Sequence, residues 1–215
     1  MSNITENIAK IKKDIPNSVT IVAATKSCDP TEINEAIAAG IEIIGENYIK
    51  EIEEKYKIIL GKVKIHCIGH IQTNKVKKAV ELFDMIQTVD SVSLAKEINK
   101  RCKNIEKIMP VLIEVNIAKE ENKHGCRPED VKNIIESISK FENIKIKGIM
   151  TMGPNMLEIE KIRPYLKEAK KIFDSLKTRY NLEILSMGMS DSYKIAIEEG
   201  ANMIRIGTLI FGQRK

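Results

Sequence analysis

The chain has 215 residues, 43% of them hydrophobic and 30% charged, which is typical of a globular protein with one sizeable core. Its 35 basic and 30 acidic residues give a net charge of +5 that is spread over mixed lysine and glutamate stretches. Because no basic run alternates with aromatic residues, we expect no nucleic-acid partner. No apolar window of about 18 residues occurs and the N-terminus lacks a signal-peptide core, so we expect a cytoplasmic protein without a membrane span.

Apolar runs alternate with helical patterns along the whole chain. Several runs are nearly continuous Val, Ile, Leu or Met, as in parallel strands that are covered on both faces. The segments between them carry helix signals, such as Asp29 and Pro30 at a start and Gly40 at an end. The predicted strands are residues 19–24, 41–44, 63–69, 85–89, 109–117, 144–150, 183–189 and 202–207.

Eight strand–helix units with one extra helix in front predict an α/β fold, a (β/α)8 TIM barrel. No linker or shift in composition divides the chain, so we expect a single domain over residues 1–215. The competing architecture is a doubly wound open sheet. Against that architecture, no GxGxxG motif follows the first strand, and the eight units are evenly spaced.

The cysteines and histidines show no metal-binding pattern. The four cysteines are scattered without a CxxC pair, which indicates free thiols in a cytoplasmic chain. His66 and His70 are close in sequence, but a glycine and the predicted end of a strand lie between them. They would not share a helix face, and we expect no metal site.

Active sites of parallel barrels form where the strands end. This rule gives a set of candidate residues before any resemblance is considered. The residues at the predicted strand ends are Lys26, Asn47, Tyr48, His66, His70, Asn116, Ser186, Ser190, Arg205, Gly207 and Thr208.

The ends of the seventh and eighth strands are typical of a phosphate site. Ser186 and Ser190 supply hydroxyls at a turn that opens a helix, and helix N-termini favour anions. Gly207 leaves backbone N–H groups accessible, and Thr208 adds a hydroxyl. The alternative interpretation is that these residues are ordinary turn glycines and helix caps.

Lys26 ends the first apolar run, and two interpretations of it remain open. In the first, the side chain points into solvent. In the second, it forms a Schiff base, which requires the neutral amine, and burial or a neighbouring cation favours that form. Arg205, on the strand that closes the barrel beside the first, is a candidate cation. A Schiff-base lysine, a phosphate site and an arginine fit pyridoxal 5′-phosphate (PLP), and they also fit a class I aldolase.

Six blocks of the chain, between about residues 19 and 212, resemble the YggS/PROSC family of PLP homeostasis proteins. The resemblance implies a barrel like the N-terminal domain of bacterial alanine racemase, the fold-type III PLP architecture. The blocks are "VAATKS", "GENY", "IGHIQTNK", "EVNIAKEENKHG", "GIMTMGP" and "LSMGMSDSYKIAIEEGANMIRIGTLIFG".

The resemblance also implies a role for each matching residue. Lys26 is the expected covalent attachment point of PLP, and Asn47 is expected on the hydroxyl side of the ring. Arg205 is expected near the pyridine nitrogen. The expected phosphate-binding residues are Ser186, Gly207 and Thr208, with Ser190 as a weaker addition.

Two functions remain after the resemblance, a PLP carrier and an amino-acid racemase. An arginine stays charged and cannot accept a hydrogen bond from a protonated pyridine nitrogen, so Arg205 weakens the ring as an electron sink. Racemisation needs acid–base groups on both faces of Cα. Alanine racemases supply one from a tyrosine of a second domain, and this sequence ends soon after the eighth strand, with Tyr48 and Tyr193 as the nearest substitutes.

We therefore expect a PLP-binding protein of intracellular PLP homeostasis that buffers or delivers the cofactor without robust turnover. The alternative is a PLP-dependent racemase of fold-type III. Apo-PLP enzymes are the candidate recipients. Without the racemase's second domain, we expect a monomer.

Overall fold

Eight parallel strands close into a barrel in the order β1 to β8. The computed structural model describes residues 3–55, 57–154, 156 and 158–213. The predicted (β/α)8 barrel is confirmed. The strands are β1 (Thr20–Ala24), β2 (Ile43–Glu46), β3 (Lys64–Cys67), β4 (Met85–Val89), β5 (Met109–Val115), β6 (Ile144–Thr151), β7 (Ile184–Ser186) and β8 (Met203–Ile206).

The helices surround the barrel, and the predicted extra helix in front of β1 is α1, which buries Ile4, Ile8 and Ile11. None of the helices in the described part of the chain is long and apolar enough to cross a membrane. The helices are α1 (Asn3–Asp14), α2 (Pro30–Ala38), α3 (Ile49–Lys55), α4 (Val76–Leu82), α5 (Val92–Lys103), α6 (Val131–Ile138), α7 (Arg163–Tyr180), α8 (Tyr193–Glu198) and α9 (Thr208–Phe211).

Local sequence signals explain several helix starts. Asp29 caps α2 by accepting a hydrogen bond from Thr31 N at 2.9 Å, while Glu32 accepts one from Asp29 N at 2.8 Å. Ser190, which the sequence places at a turn that opens a helix, is not the cap of α8, because α8 starts at Tyr193 and Ser192 takes the N-cap position. The Ser190 hydroxyl instead accepts hydrogen bonds from the turn after β8.

The second strand was predicted two residues too early, over 41–44. Ile41 lies in the turn after α2, where its backbone N–H donates to Ala36 O at 3.0 Å. Gly45 belongs to β2, where it pairs with Ala24 of β1 and His66 of β3. A side chain does not fit there, because a Cβ would lie 2.7 Å from a methyl of Ile68 and 2.8 Å from one of Val22. Glu46 is a charged strand residue that is fully buried, and the apolar pattern alone excluded it.

Inside the barrel, a polar layer lies on top of an apolar layer. Alternate residues of a strand point to the same side. The apolar inward side chains are those of Val22, Ile43, Met85, Leu112, Met150, Ile184 and Met203. Two residues further along their strands come the buried polar side chains of Gln87, Glu114, Ser186 and Arg205.

The other buried apolar side chains fill the space between the barrel and the helices in one large cluster. The four cysteines are buried free thiols, as the scattered spacing predicted. Burial among apolar groups raises the pKa of the Cys67 thiol to about 12, so this thiol is protonated and unreactive.

The turn after β1 is tied to α3 by a buried ion pair. Lys55 Nζ donates to Glu46 Oε1 at 3.1 Å, to Glu51 Oε2 at 3.1 Å and to Thr25 O at 3.0 Å. The Thr25 hydroxyl donates to Glu46 Oε1 at 2.7 Å. Burial raises the pKa of Glu46, and the hydrogen bond from Thr25 and the charge of Lys55 oppose that shift.

The same ion pair fixes the backbone on both sides of Lys26. Ser27 has a φ of 59°, in the left-handed region that L residues other than glycine rarely adopt. Its N–H donates to Glu51 Oε2 at 2.8 Å. Thr25 is held by Lys55 of α3 and by Glu46 of β2, and Ser27 is held by Glu51 of α3. The position of Lys26, between them, is therefore set by contacts outside β1.

Replacing Lys55 with methionine should destabilise the protein, because the Glu46 carboxylate would stay buried without its cation. We expect a loss of about 3 kcal/mol in the free energy of unfolding, measured by urea denaturation at pH 7.5. Lys57→Met, an exposed neighbour, is the matched control and should change it by less than about 0.5 kcal/mol. Equal stability of the two variants would contradict the structural role of Lys55.

Candidate functional site

A cavity of about 800 Å³ opens at the end of the barrel where the strands finish. This volume lies within the range of small-molecule sites, roughly 300–1,000 Å³. Of the seven residues predicted to bind the cofactor, six line this cavity: Lys26, Asn47, Ser190, Arg205, Gly207 and Thr208. They lie on four loops or strands that are far apart in sequence.

Ser186, the seventh predicted residue, does not line the cavity. It is fully buried at the end of β7, beneath the cavity floor, and contacts Arg205 and Gln87. Its contacts are those of a residue that supports Arg205.

Three other residues at strand ends have different surroundings. Tyr48 is 61% exposed and is not among the described residues that line the cavity. His66 is buried inside the barrel. Asn116 organises its own loop, with its amide nitrogen bonded to Glu120 O at 2.8 Å and Lys123 O at 3.1 Å.

Lys26 lies at the rim of the cavity and is exposed. Within the part of the chain that the structure describes, no hydrogen bond or ion pair engages its amine. Arg205 lines the same cavity, so the predicted neighbouring cation is present in the site.

Arg205 is a buried cation, with only 5% of its surface exposed. Its Nη1 donates to Ser186 Oγ at 2.7 Å and its Nη2 donates to Thr151 O at 2.9 Å. Burial lowers the pKa of Arg205 to about 10, while the charge of Glu114 acts in the opposite direction. The guanidinium therefore remains charged at neutral pH.

A chain of hydrogen bonds continues from Arg205 across the barrel. Ser186 Oγ donates its single proton to Gln87 Oε1 at 2.8 Å, which leaves its lone pair for Arg205. Gln87 Nε2 lies 3.0 Å from His66 Nδ1. Burial lowers the pKa of His66 to about 4, so the ring is neutral and its Nδ1 accepts the hydrogen bond.

Glu114 is a buried carboxyl group that lines the same cavity. Its Oε2 has no hydrogen-bond partner among the described residues. Burial raises the pKa of Glu114 to about 7 and Asp90 adds to this rise, while Arg205 opposes it. The charge beside Arg205 therefore changes near neutral pH.

Backbone amides converge on the opposite wall of the cavity. Ser190 Oγ accepts hydrogen bonds from Gly207 N at 3.3 Å and from Leu209 N at 3.4 Å. Thr208, between them in sequence, lines the cavity and is exposed. This wall thus presents amide and hydroxyl donors, which is the donor set that a phosphate group requires.

Sequence reasoning missed Gln87, Glu114 and Thr151, which build or support the floor of the site. Gln87 and Glu114 stand inside the apolar runs "MIQTV" and "VLIEV". A single polar residue within a buried strand needs a polar partner, because an unpaired polar group in the interior is costly. That interruption was the signal available.

The chain was compared with known families and proteins. The family described as "Alanine racemase, N-terminal domain" matches residues 1–215. The pyridoxal phosphate homeostasis protein of Aquifex aeolicus is 39% identical, over 93% of this chain and 89% of that protein. The protein of the same name in Escherichia coli strain K12 is 31% identical, over 100% of this chain and 98% of that protein.

The chain belongs to the family of the pyridoxal phosphate homeostasis proteins. Among solved structures, PipY of Synechococcus elongatus with PLP bound superimposes with a TM-score of 0.90 at 31% identity, covering 97% of this chain and all of that one. Alanine racemase of Clostridium difficile in complex with cycloserine gives a TM-score of 0.84 at 18% identity, covering 99% of this chain and 60% of that one. The second likeness shows the shared barrel fold.

Replacing Glu114 with glutamine should change how stability depends on pH. A carboxyl group whose folded-state pKa of about 7 exceeds the ordinary 4.5 stabilises the fold in its protonated form. The stability it contributes is present below pH 4.5 and is lost as pH rises to 7. Relative to Glu114→Gln, the wild type should therefore lose about 3 kcal/mol of unfolding free energy between these pH values.

The measurement is urea denaturation of both proteins from pH 4.5 to 8. Glu121→Gln, at an exposed glutamate of the loop after β5, is the control and should follow the wild type at every pH. A constant difference between wild type and Glu114→Gln would mean that Glu114 does not titrate in this range.

Proposed function

We propose that this protein binds PLP covalently at Lys26 and acts in intracellular PLP homeostasis by buffering or delivering the cofactor. The observation that carries the proposal is the meeting of Lys26, Arg205 and the Ser190–Gly207 amide wall in one cavity. The names of the relatives and the PLP bound in PipY support the same ligand. We further propose that residues 1–215 form one PLP-binding domain.

Lys26 would hold PLP as a Schiff base. The lone pair of the neutral amine attacks the aldehyde carbon, and the carbonyl oxygen leaves as water, so a C=N bond replaces the C=O bond. Lys26 is exposed at the cavity rim, which lets an incoming ligand reach it. The turn that carries it is held by Lys55 and Glu51, so the amine starts from a fixed backbone.

The phosphate would bind at the wall formed by Ser190, Gly207 and Thr208. The amides of Gly207 and Leu209 point at Ser190 Oγ, and hydrogen bonds from such N–H groups to a charged acceptor are stronger than those to a hydroxyl. Ser186 lies outside this wall, and we assign it an indirect part in binding. It holds the guanidinium of Arg205, and Arg205 lines the cavity.

Arg205 would lie beside the pyridine nitrogen, and Asn47 on the hydroxyl side of the ring. Bound PLP supplies an electron sink that is strongest when its pyridine nitrogen is protonated. An arginine only donates hydrogen bonds, so Arg205 favours the unprotonated nitrogen. Its fixation by Ser186 and Thr151 keeps this donor in place, which disfavours carbanion chemistry.

The positions of the tyrosines also favour binding over turnover. Racemisation requires a proton donor or acceptor on each face of Cα. Tyr48 is 61% exposed, and Tyr193 is buried, with 6% of its surface exposed. Neither belongs to the described residues that line the cavity, so neither is in position to act opposite Lys26.

We propose apo-PLP enzymes as the recipients of the cofactor and a monomer as the working unit in the cytoplasm. The open cavity mouth supports transfer, because a recipient can approach the rim where Lys26 lies. Size-exclusion chromatography with light scattering, with and without PLP, tests the monomer directly.

Adding PLP should produce the absorbance of a lysine Schiff base in the wild type, and Lys26→Ala should abolish it. Lys123→Ala is the matched control, because Lys123 lines the same cavity and should leave the absorbance intact. Loss of the band in Lys123→Ala, with retention in Lys26→Ala, would show that PLP attaches to Lys123 and would contradict the assignment of Lys26. A spectrum that saturating PLP leaves unchanged would favour the class I aldolase alternative.

Incubation with L-alanine and other L-amino acids should yield no robust formation of D-isomers. Chiral chromatography of the PLP-loaded protein measures this, with Lys26→Ala as the blank. Rapid D-isomer formation that disappears in Lys26→Ala would contradict the carrier function and support the racemase.

A further inference from the structure

We propose that His70, Asp90 and His124 bind a divalent transition-metal ion, with zinc the expected metal, at the rim of the cavity. One nitrogen of each histidine and one oxygen of the aspartate lie within 4.8 Å of one another. From the sequence we expected no metal site, because His66 and His70 would not share a helix face. In the structure those two are separated, and His70 instead meets a histidine from a distant loop.

The topology of the barrel brings the three residues together. His70 follows β3, Asp90 follows β4 directly, and His124 lies in the loop after β5. These strands are consecutive neighbours in the barrel and run parallel. Their ends therefore meet at one edge, and Asp90 follows the middle strand of the three.

The loop that carries His124 is held in one conformation. Asn116 bonds the backbone at Glu120 and Lys123, and Asn116 N donates to Cys126 O at 2.9 Å. Gly125 has a φ of +106°, and a Cβ there would lie 2.6 Å from Asn116 N. These contacts hold the backbone on both sides of His124, so the imidazole starts from a fixed place. A fixed ligand position lowers the free-energy cost of assembling a metal site.

Asp90 and the segment before His70 are also fixed. Thr88, on β4, donates from its hydroxyl to Gly69 O at 2.8 Å, which ties the residue before His70 to the neighbouring strand. Asp90 is followed by Ser91, which caps α5 by accepting a hydrogen bond from Leu94 N at 3.3 Å. All three ligand positions thus rest on the rigid edge of the barrel.

The two imidazole rings are stacked, with centroids 3.7 Å apart and planes 6° from parallel. The stack brings nitrogens of both rings to the same place, beside the carboxylate of Asp90. Asp90 Oδ2 lies 3.7 Å from His70 Nδ1, beyond hydrogen-bond distance. The side chains of His70 and Asp90 are 34% and 19% exposed, which leaves the rings room to turn both nitrogens toward one ion.

The ligand set indicates the class of metal. Two imidazoles and one carboxylate suit zinc and its neighbours in the first transition row better than calcium or magnesium, which prefer oxygen ligands. Three protein ligands leave at least one coordination position open. Since His70 and His124 line the same cavity as Lys26, that position is accessible to a molecule in the cavity.

The test is calorimetric titration of Zn²⁺ into protein that has been treated with a chelator and freed of PLP. We expect one ion per chain. His70→Gln, His124→Gln and Asp90→Asn should each weaken the affinity by about tenfold or more. Asp174→Asn, at an exposed aspartate outside the cavity, is the matched control and should bind as the wild type does.

Co²⁺ serves as a second probe, because its absorption distinguishes nitrogen and oxygen ligands from thiolates. Visible d–d bands without a sulfur charge-transfer band should appear in the wild type and disappear in His124→Gln. A sulfur band, no stoichiometric binding, or an affinity in His70→Gln and His124→Gln that equals that of the wild type would overturn the proposal. Lys26→Ala should bind the metal normally, so this result is independent of PLP binding.

Discussion

The pairing of β1 with β8 is the constraint on which the site depends. These strands lie at opposite ends of the chain, and their register places Val22 beside Arg205 and Ala23 beside Ile206. Because both strands run in the same direction, the residues that follow them emerge at the same edge. Closure of the barrel therefore puts Lys26, the first strand's cation, in one cavity with the donors of Gly207 and Thr208.

A second constraint is the cost of burying Arg205 inside that closed barrel. Removing a charged group such as a guanidinium from water costs on the order of several kcal/mol unless its donors form hydrogen bonds. Ser186 and Thr151 satisfy two of them, and Gln87 in turn satisfies Ser186. The buried charge of Arg205 thus explains why Ser186 and Gln87 are polar residues inside the barrel.

The barrel and six cavity residues could be predicted from the sequence, because both follow from the pattern of residues along each strand taken by itself. Lys26, Arg205 and Gly207 stand at strand ends, and a parallel barrel collects strand ends at one mouth. The sequence could not predict lateral contacts. The meeting of His70 with His124 and the bond from Ser186 to Arg205 depend on which strands are neighbours and on which way each side chain faces. The early placement of β2 has a similar cause, since Glu46 is tolerated in a strand only because Lys55 reaches it from α3.

The proposed function depends on covalent binding of PLP at Lys26. Reduction of the PLP-loaded protein with borohydride makes the carbon–nitrogen bond permanent, and peptide mass mapping then locates the modified lysine. We expect a pyridoxyl group on the peptide that contains Lys26, at a stoichiometry near one per chain. Modification chiefly at another lysine, such as Lys123 in the same cavity, or no modification at saturating PLP, would contradict it.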